Sequence, residues 1–232
     1  MPRCEDVVRQ LRDLANPADR AGMARFGITT DRALGVHVPV LRRLAKSLGR
    51  DHDLAGELWA TGIHEARLLA GFVDNPAQVT KRQMDAWVRD FDSWDLCDLV
   101  CSDLFDRTPH AWTKAFAWSA RRPEYVKRAG FVLMAALSVH DRAAVDADFG
   151  RCFPTIVREA TDARNFVRKA VNWALRSIGK RNLVLNRRAV AVARRIEQID
   201  SKAARWIARD ALRELTGPKV QARLRRRRRA KE

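Results

Sequence analysis

The sequence predicts an all-α protein, and three observations carry that prediction. Apolar residues recur at helical spacing along most of the chain. No segment sustains the two-residue alternation of a half-buried strand. Prolines and small polar residues punctuate the chain at short intervals, as helix starts do. Among 232 residues there are only 11 Gly and 8 Pro, and 47% are apolar, so a folded core is expected rather than a disordered polyelectrolyte.

From the N-terminus, Asn16-Pro17, Asn75-Pro76 and Thr108-Pro109 each read as an N-cap followed by proline in the first helical position. Val38, Leu41, Leu44, Ala45 and Leu48 form one apolar stripe, with Arg42, Arg43 and Lys46 between them. Pro123 and Pro218 read as further helix starts, and Asp141, Thr161, Asn182 and Asp200 as further caps. About a dozen short amphipathic helices result. Such a series folds as a globular bundle, or as stacked helix pairs that curve into a superhelix with a concave surface. No strict repeat period is visible. The expected organisation is one helical domain over residues 1–221, followed by a basic tail over 222–232. That tail includes five consecutive arginines, Arg225 to Arg229, whose self-repulsion predicts a flexible segment or a frayed helix end.

The charge is +17, and it is unevenly placed. Residues 1–100 hold 14 basic and 15 acidic residues; residues 101–232 hold 31 basic and 13 acidic. Arginine outnumbers lysine 36 to 9. A codon bias toward Arg accounts for such a ratio but not for its placement. A field of this strength suits an anionic partner, nucleic acid first and acidic membrane surfaces second. Cys97 and Cys101 lie one helical turn apart and suit a buried face better than a zinc cage, and no CxxC occurs among the four cysteines. The start lacks a signal-peptide core, and the longest apolar run, Ala129 to Val139, falls short of the roughly 20 residues of a membrane span. A soluble monomer in a reducing cytoplasm, not bound to membrane, is expected.

Phosphate-binding glycine loops, HExxH and nucleophile elbows are absent, and the five histidines are scattered. What stands out is an acidic stretch, Asp85 to Asp106, in a basic protein. Within it, Ser93 or Asp92 can cap a helix that places Trp94 and Asp98 at i and i+4 on one face. Asp95, in the first turn, complements the helix dipole. A second segment, Asn165 to Arg176, puts Phe166, Ala170 and Trp173 on one face and Arg168, Asn172 and Arg176 in another row. A third, Tyr125 to Phe131, opens an apolar helix with Lys127 and Arg128. Each has a plain alternative: Trp94 as a core tryptophan, Asp98 as a solvated or salt-bridged carboxylate, Arg128 as a surface arginine.

Taken together, these segments resemble the HEAT-like-repeat DNA glycosylases of alkylation repair, the AlkD type. The matching stretches are Ser93-Trp94-Asp95-Leu96-Cys97-Asp98, Lys127-Arg128-Ala129 and Phe166 to Arg176. Phe26-Gly27-Ile28, Gly35 to Arg42 and His64-Glu65-Ala66-Arg67 are similar to upstream landmarks, and the likeness covers about residues 10–215. The resemblance implies a HEAT-like, armadillo-like α-solenoid with a concave basic groove. It implies excision of N3- and N7-alkylated purines, of the 3-methyladenine and 7-methylguanine type, from duplex DNA within base excision repair. It also implies that no cofactor or metal is needed and that the damaged base need not be flipped into a pocket. Asp98 matches the family's catalytic aspartate, Trp94 and Trp173 its active-site tryptophans, and Arg128 its DNA-contacting arginine. Lys127, Arg168, Lys169 and Arg176 are the expected further DNA contacts, and Phe26 is a candidate for an N-terminal aromatic facing the lesion. Ser93 stands where some members have a second tryptophan. The competing expectation is a non-catalytic helical-repeat protein that binds damaged or branched DNA.

Overall fold

A computed structural model describes residues 3–229, and among these residues the regular structure is entirely helical. The chain divides into two compact units, residues 1–110 and 111–232. The first holds α1 (Cys4–Asp13), α2 (Pro17–Met23), α3 (Val38–Leu48), α4 (His52–Ala60), α5 (His64–Val73), α6 (Lys81–Trp87) and α7 (Trp94–Asp103). Three 3-10 turns, Ala24–Phe26, Val88–Asp90 and Phe105–Arg107, link some of these. The second unit holds α8 (Ala111–Ser119), α9 (Glu124–His140), α10 (Asp146–Gly150), α11 (Cys152–Glu159), α12 (Asn165–Gly179), α13 (Leu183–Glu197), α14 (Lys202–Leu215) and α15 (Pro218–Arg229).

Each unit is built around a helix with little exposed surface. In the first it is α5, buried at nine of its ten residues, with α3, α4 and α7 packed on it. In the second it is α9, which contains the apolar run Ala129 to Val139 and packs on α8 and α12. That run is thus the core helix of the second unit, and no described helix is long and apolar enough to span a bilayer. The stripe on α3 buries Leu41 and Leu44. In the first core Trp59 stacks on Trp87 with ring centroids 3.9 Å apart. Cys97, Cys101 and Cys152 are buried, and none of the four cysteines forms a disulfide.

The cap predictions divide by local chemistry. Asn16 accepts from the Ala18 and Asp19 amides and starts α2, and Asn182 accepts from Leu185 N and starts α13. Asn75 instead closes a turn, its Oδ1 accepting from Ala77 N at 3.1 Å, with no helix behind it. Asp141 does the same with Ala143 and Ala144, four residues or more ahead of α10. Thr108 donates to Phe105 O, and α8 begins only at Ala111. An Asx turn and an N-cap use the same side-chain bond, so sequence alone does not separate them. Ser201 rather than Asp200 caps α14, and Thr161 caps nothing, since α12 begins after Arg164. The arginine run continues α15 as helix to Arg229.

Candidate functional site

In the first unit the predicted residues gather on α7. Trp94 opens the helix, and its indole Nε1–H donates to the Phe26 carbonyl at 2.9 Å. That bond satisfies the only polar atom of the ring and fixes its plane. Phe26 itself ends a 3-10 turn, followed by Gly27 at φ 74°, and is 59% exposed. Asp98 follows one turn after Trp94 and is half-buried; its backbone carbonyl accepts from Ser102 Oγ at 2.6 Å. Ser93 holds the N-cap position, but its hydroxyl makes no cap bond.

Asp95 does more than complement the helix dipole. Its Oδ2 lies 2.9 Å from His64 Nε2, with the two side chains 13% and 5% exposed. Burial works to lower the His64 pKa, but the bond and charge of Asp95, with Glu65 and Asp92 behind, outweigh it and raise the imidazole above its ordinary value. Burial likewise works to raise Asp95, and the His64 bond more than offsets it, leaving the carboxyl below its ordinary value. Next to His64, Glu65 accepts from the amides of Leu34 and Gly35 at 2.8 and 2.7 Å and so ties the loop before α3 to α5. A cavity of about 320 Å³ opens beside these groups, lined by Phe26, Ile28, His37, His64, Leu68 and Asp95 among others.

The second unit holds the remaining predicted residues on α9 and α12. Arg128 is buried, 5% exposed, and donates through Nη1 to the Phe166 carbonyl at 2.6 Å. Its guanidinium carbon sits 6.0 Å from the Phe166 ring centroid. Lys127 pairs with Glu159, and with Asp162 at 3.4 Å. Trp173 is half-buried on α12, and Lys169 is exposed. The row Arg168, Asn172, Arg176 faces α14. Arg168 lies over the Trp206 ring at 4.5 Å, Asn172 donates to Asp210 at 2.7 Å, and Arg176 pairs with Glu214 and lies 3.5 Å from Asp210. Thus Lys127 and Arg176 have their first partners within the chain, whereas among the described residues Lys169 pairs with no carboxylate.

Trp94 and Asp98 belong to the first unit, and Arg128 and Trp173 to the second. Sequence reasoning missed the His64–Asp95 bond, the Glu65 clamp and the α14 partners Asp210, Glu214 and Trp206. All are contacts between residues some 30 to 40 positions apart, which helical periodicity does not encode. Among the described residues no group of three or more His, Cys, Asp and Glu side chains is placed to hold a metal ion.

The family model described as DNA alkylation repair enzyme matches residues 7–215. One solved structure, described as "a new family of proteins related to the HEAT-like repeat DNA glycosylases with affinity for branched DNA structures", superimposes with a TM-score of 0.76 at 20% identity, over 92% of this chain and 96% of that one. This shows the HEAT-like helical-repeat fold. A search of curated proteins found no match.

Proposed function

We propose that this chain, which belongs to the DNA alkylation repair enzyme family, is a DNA glycosylase that hydrolyses the N-glycosidic bond of N3- and N7-alkylated purines in duplex DNA. The observation that carries the reading is α7. It sets a carboxylate, Asp98, one turn from an indole, Trp94, whose only polar atom is bound to the Phe26 carbonyl, so that its π face is what remains to offer.

An N3- or N7-alkylated purine already carries positive charge and leaves without a strong general acid. As the bond breaks, positive charge develops on the deoxyribose. A fixed carboxylate such as Asp98 stabilises that charge and orients the attacking water. The faces of Trp94 and Trp173 attract a cationic sugar or base, at roughly 0.5–2 kcal/mol each. Arg128, anchored at Phe166, would hold a backbone phosphate in register. No step in this scheme calls for a cofactor.

The test is release of 7-methylguanine from methylated duplex by purified protein without added metal. Asp98→Asn should retain DNA binding and lose release by about 10²–10³-fold. Full retention of release removes Asp98 from its role. The second reading is a binding protein for branched DNA without excision, favoured by the description of the structural neighbour. Tight four-way-junction binding with no base release would establish it instead.

A further inference from the structure

The first unit is slightly acidic, with 15 basic and 17 acidic residues over positions 1–110, yet it concentrates cations at one place. A hollow of about 340 Å³ is lined by Arg42, Lys46, Arg50 and Arg107, with Asp103 the one carboxylate and Phe72 the floor. Two of the three arginines are held by the protein. Arg42 forks onto Asp103 at 2.9 and 2.8 Å and lies over the Phe72 ring at 4.5 Å. Arg50 donates to the carbonyl of Phe72 at 3.0 Å and to that of Asp74. Lys46 and Arg107 are exposed, and among the described residues neither has a carboxylate partner. Four cations against one carboxylate leave a local charge that the unit does not neutralise itself.

The hollow is separate from the face that carries Trp94 and Asp98. Asp103 lies nine residues beyond Trp94 on α7. At 3.6 residues per turn that is about two and a half turns, which points Asp103 to the opposite side of the helix and about 13 Å further along it. From Asp98 it is about 140° around the axis. Ordered guanidinium groups and an exposed ammonium around a solvent-filled hollow match the tetrahedral, multiply charged phosphate group.

We propose that this hollow is a phosphate-binding site, distinct from the Trp94–Asp98 face. Its ligand is either the backbone of a DNA segment other than the one lying on that face, or a small free phosphate compound. The proposal stands whether or not the protein excises bases.

Two variants test it. Lys46→Gln combined with Arg107→Gln removes the two unpaired cations at exposed positions. Asp103→Asn removes the competing carboxylate. The probes are inorganic pyrophosphate by titration calorimetry, and a four-way DNA junction and a linear duplex of equal length by fluorescence anisotropy. With DNA as ligand, the double variant should bind the junction roughly 10- to 30-fold more weakly at 0.15 M salt, with a salt slope lower by about 2. Linear-duplex binding should stay within about twofold, and Asp103→Asn should tighten the junction complex. With a free phosphate compound as ligand, pyrophosphate binding is lost in the double variant and both DNA affinities hold. Equal losses on junction and duplex would place the hollow on the common DNA path and overturn its separateness. No change with any probe overturns the site. Base release measured alongside keeps this result independent of the glycosylase reading.

Discussion

Replacing Gly130 by alanine tests whether the contact between α8 and α9 sets the position of Arg128, two residues earlier in the same helix. A methyl group at Gly130 would meet Ser119 N at 2.4 Å, Ala115 O at 2.8 Å and Ser119 Cα at 2.8 Å. All three are backbone atoms of α8, so no side chain can swing aside. Ordinary van der Waals contact begins near 3.4 Å, so the two helices would have to part by about 1 Å. In an open helix the same change stabilises by about 1 kcal/mol. Overpacking a buried contact costs about 1–3 kcal/mol, and here the yielding partner is main chain. The expected result is a protein less stable by about 1–2 kcal/mol, with weakened DNA binding as α9 shifts Arg128. Gly56 in α4 is the control, because nothing lies within 4 Å of the position its Cβ would take. Gly56→Ala should gain about 0.5–1 kcal/mol. Urea midpoints give the two signs. Amide exchange in α8 and α9 reads the second unit by itself, since two units need not unfold together. A Gly130→Ala protein as stable as Gly56→Ala would refute the reasoning.

Two further expectations follow from burial and charge. The His64–Asp95 pair makes stability depend on pH. His64 is raised from 6.5, so its contribution is complete below 6.5 and fades as pH rises through the folded value. Asp95 is lowered from 3.8, so its contribution is present above 3.8 and fades as pH falls through its own folded value. The gap in melting temperature between wild type and His64→Gln should be widest near about pH 5 and shrink toward about pH 9; a gap constant with pH contradicts the pair. The C-terminal segment calls for two truncations, because Leu224 is 1% exposed and Gln221 donates to Asn186 Oδ1 at 3.0 Å and to Leu215 O at 2.6 Å. Deleting residues 225–232 should lower the salt slope of DNA binding and leave the urea midpoint in place. Deleting 222–232 should also cost about 1.5–3 kcal/mol through the loss of Leu224, and equal midpoints for the two truncations would disprove that anchoring.

Much of the fold is legible because helix chemistry is local. The stripe Val38 to Leu48, the Pro17 and Pro218 starts and the buried run Ala129 to Ser138 are each set by residues within four or five positions of one another. What failed were boundaries where one side-chain bond serves two structures, as at Asn75 and Asp141. The candidate site was legible only as residue types in order. Its supports were not: Trp94 reaches the carbonyl of Phe26 across 68 positions, and Asn172 reaches Asp210 across 38. A bond to a distant main-chain oxygen leaves no trace in the side-chain identity of its acceptor. The arginine run, expected as a flexible segment or a frayed helix end, is helical to Arg229. Its own repulsion argues for disorder, but Leu224 and Gln221 just before it dock on their surroundings and lend the segment a start.

Net charge and contact charge are different quantities, and the second unit separates them. Residues 111–232 hold 30 basic and 11 acidic residues, and ion pairing does not alter that excess. Pairing does decide which cations are free to meet a phosphate. Lys180 is held by Glu214 at 2.6 Å, whereas Lys169 is exposed one helix turn from Trp173 and no described carboxylate pairs with it. Lys180→Gln and Lys169→Gln each lower the net charge by one. Long-range steering responds to the summed field, which decays over about 8 Å at 0.15 M salt, so the two variants should slow association at low salt by similar factors. Counterion release responds only to phosphates in contact. Lys169→Gln should therefore lower the salt slope by about 1, with dissociation correspondingly faster. Lys180→Gln should leave the slope unchanged and cost at most about 1 kcal/mol of stability, because both partners of its pair are partly solvated. Equal slopes for the two variants would mean that Lys169 does not touch DNA, and that the positive excess of this unit acts on its partner through the field alone.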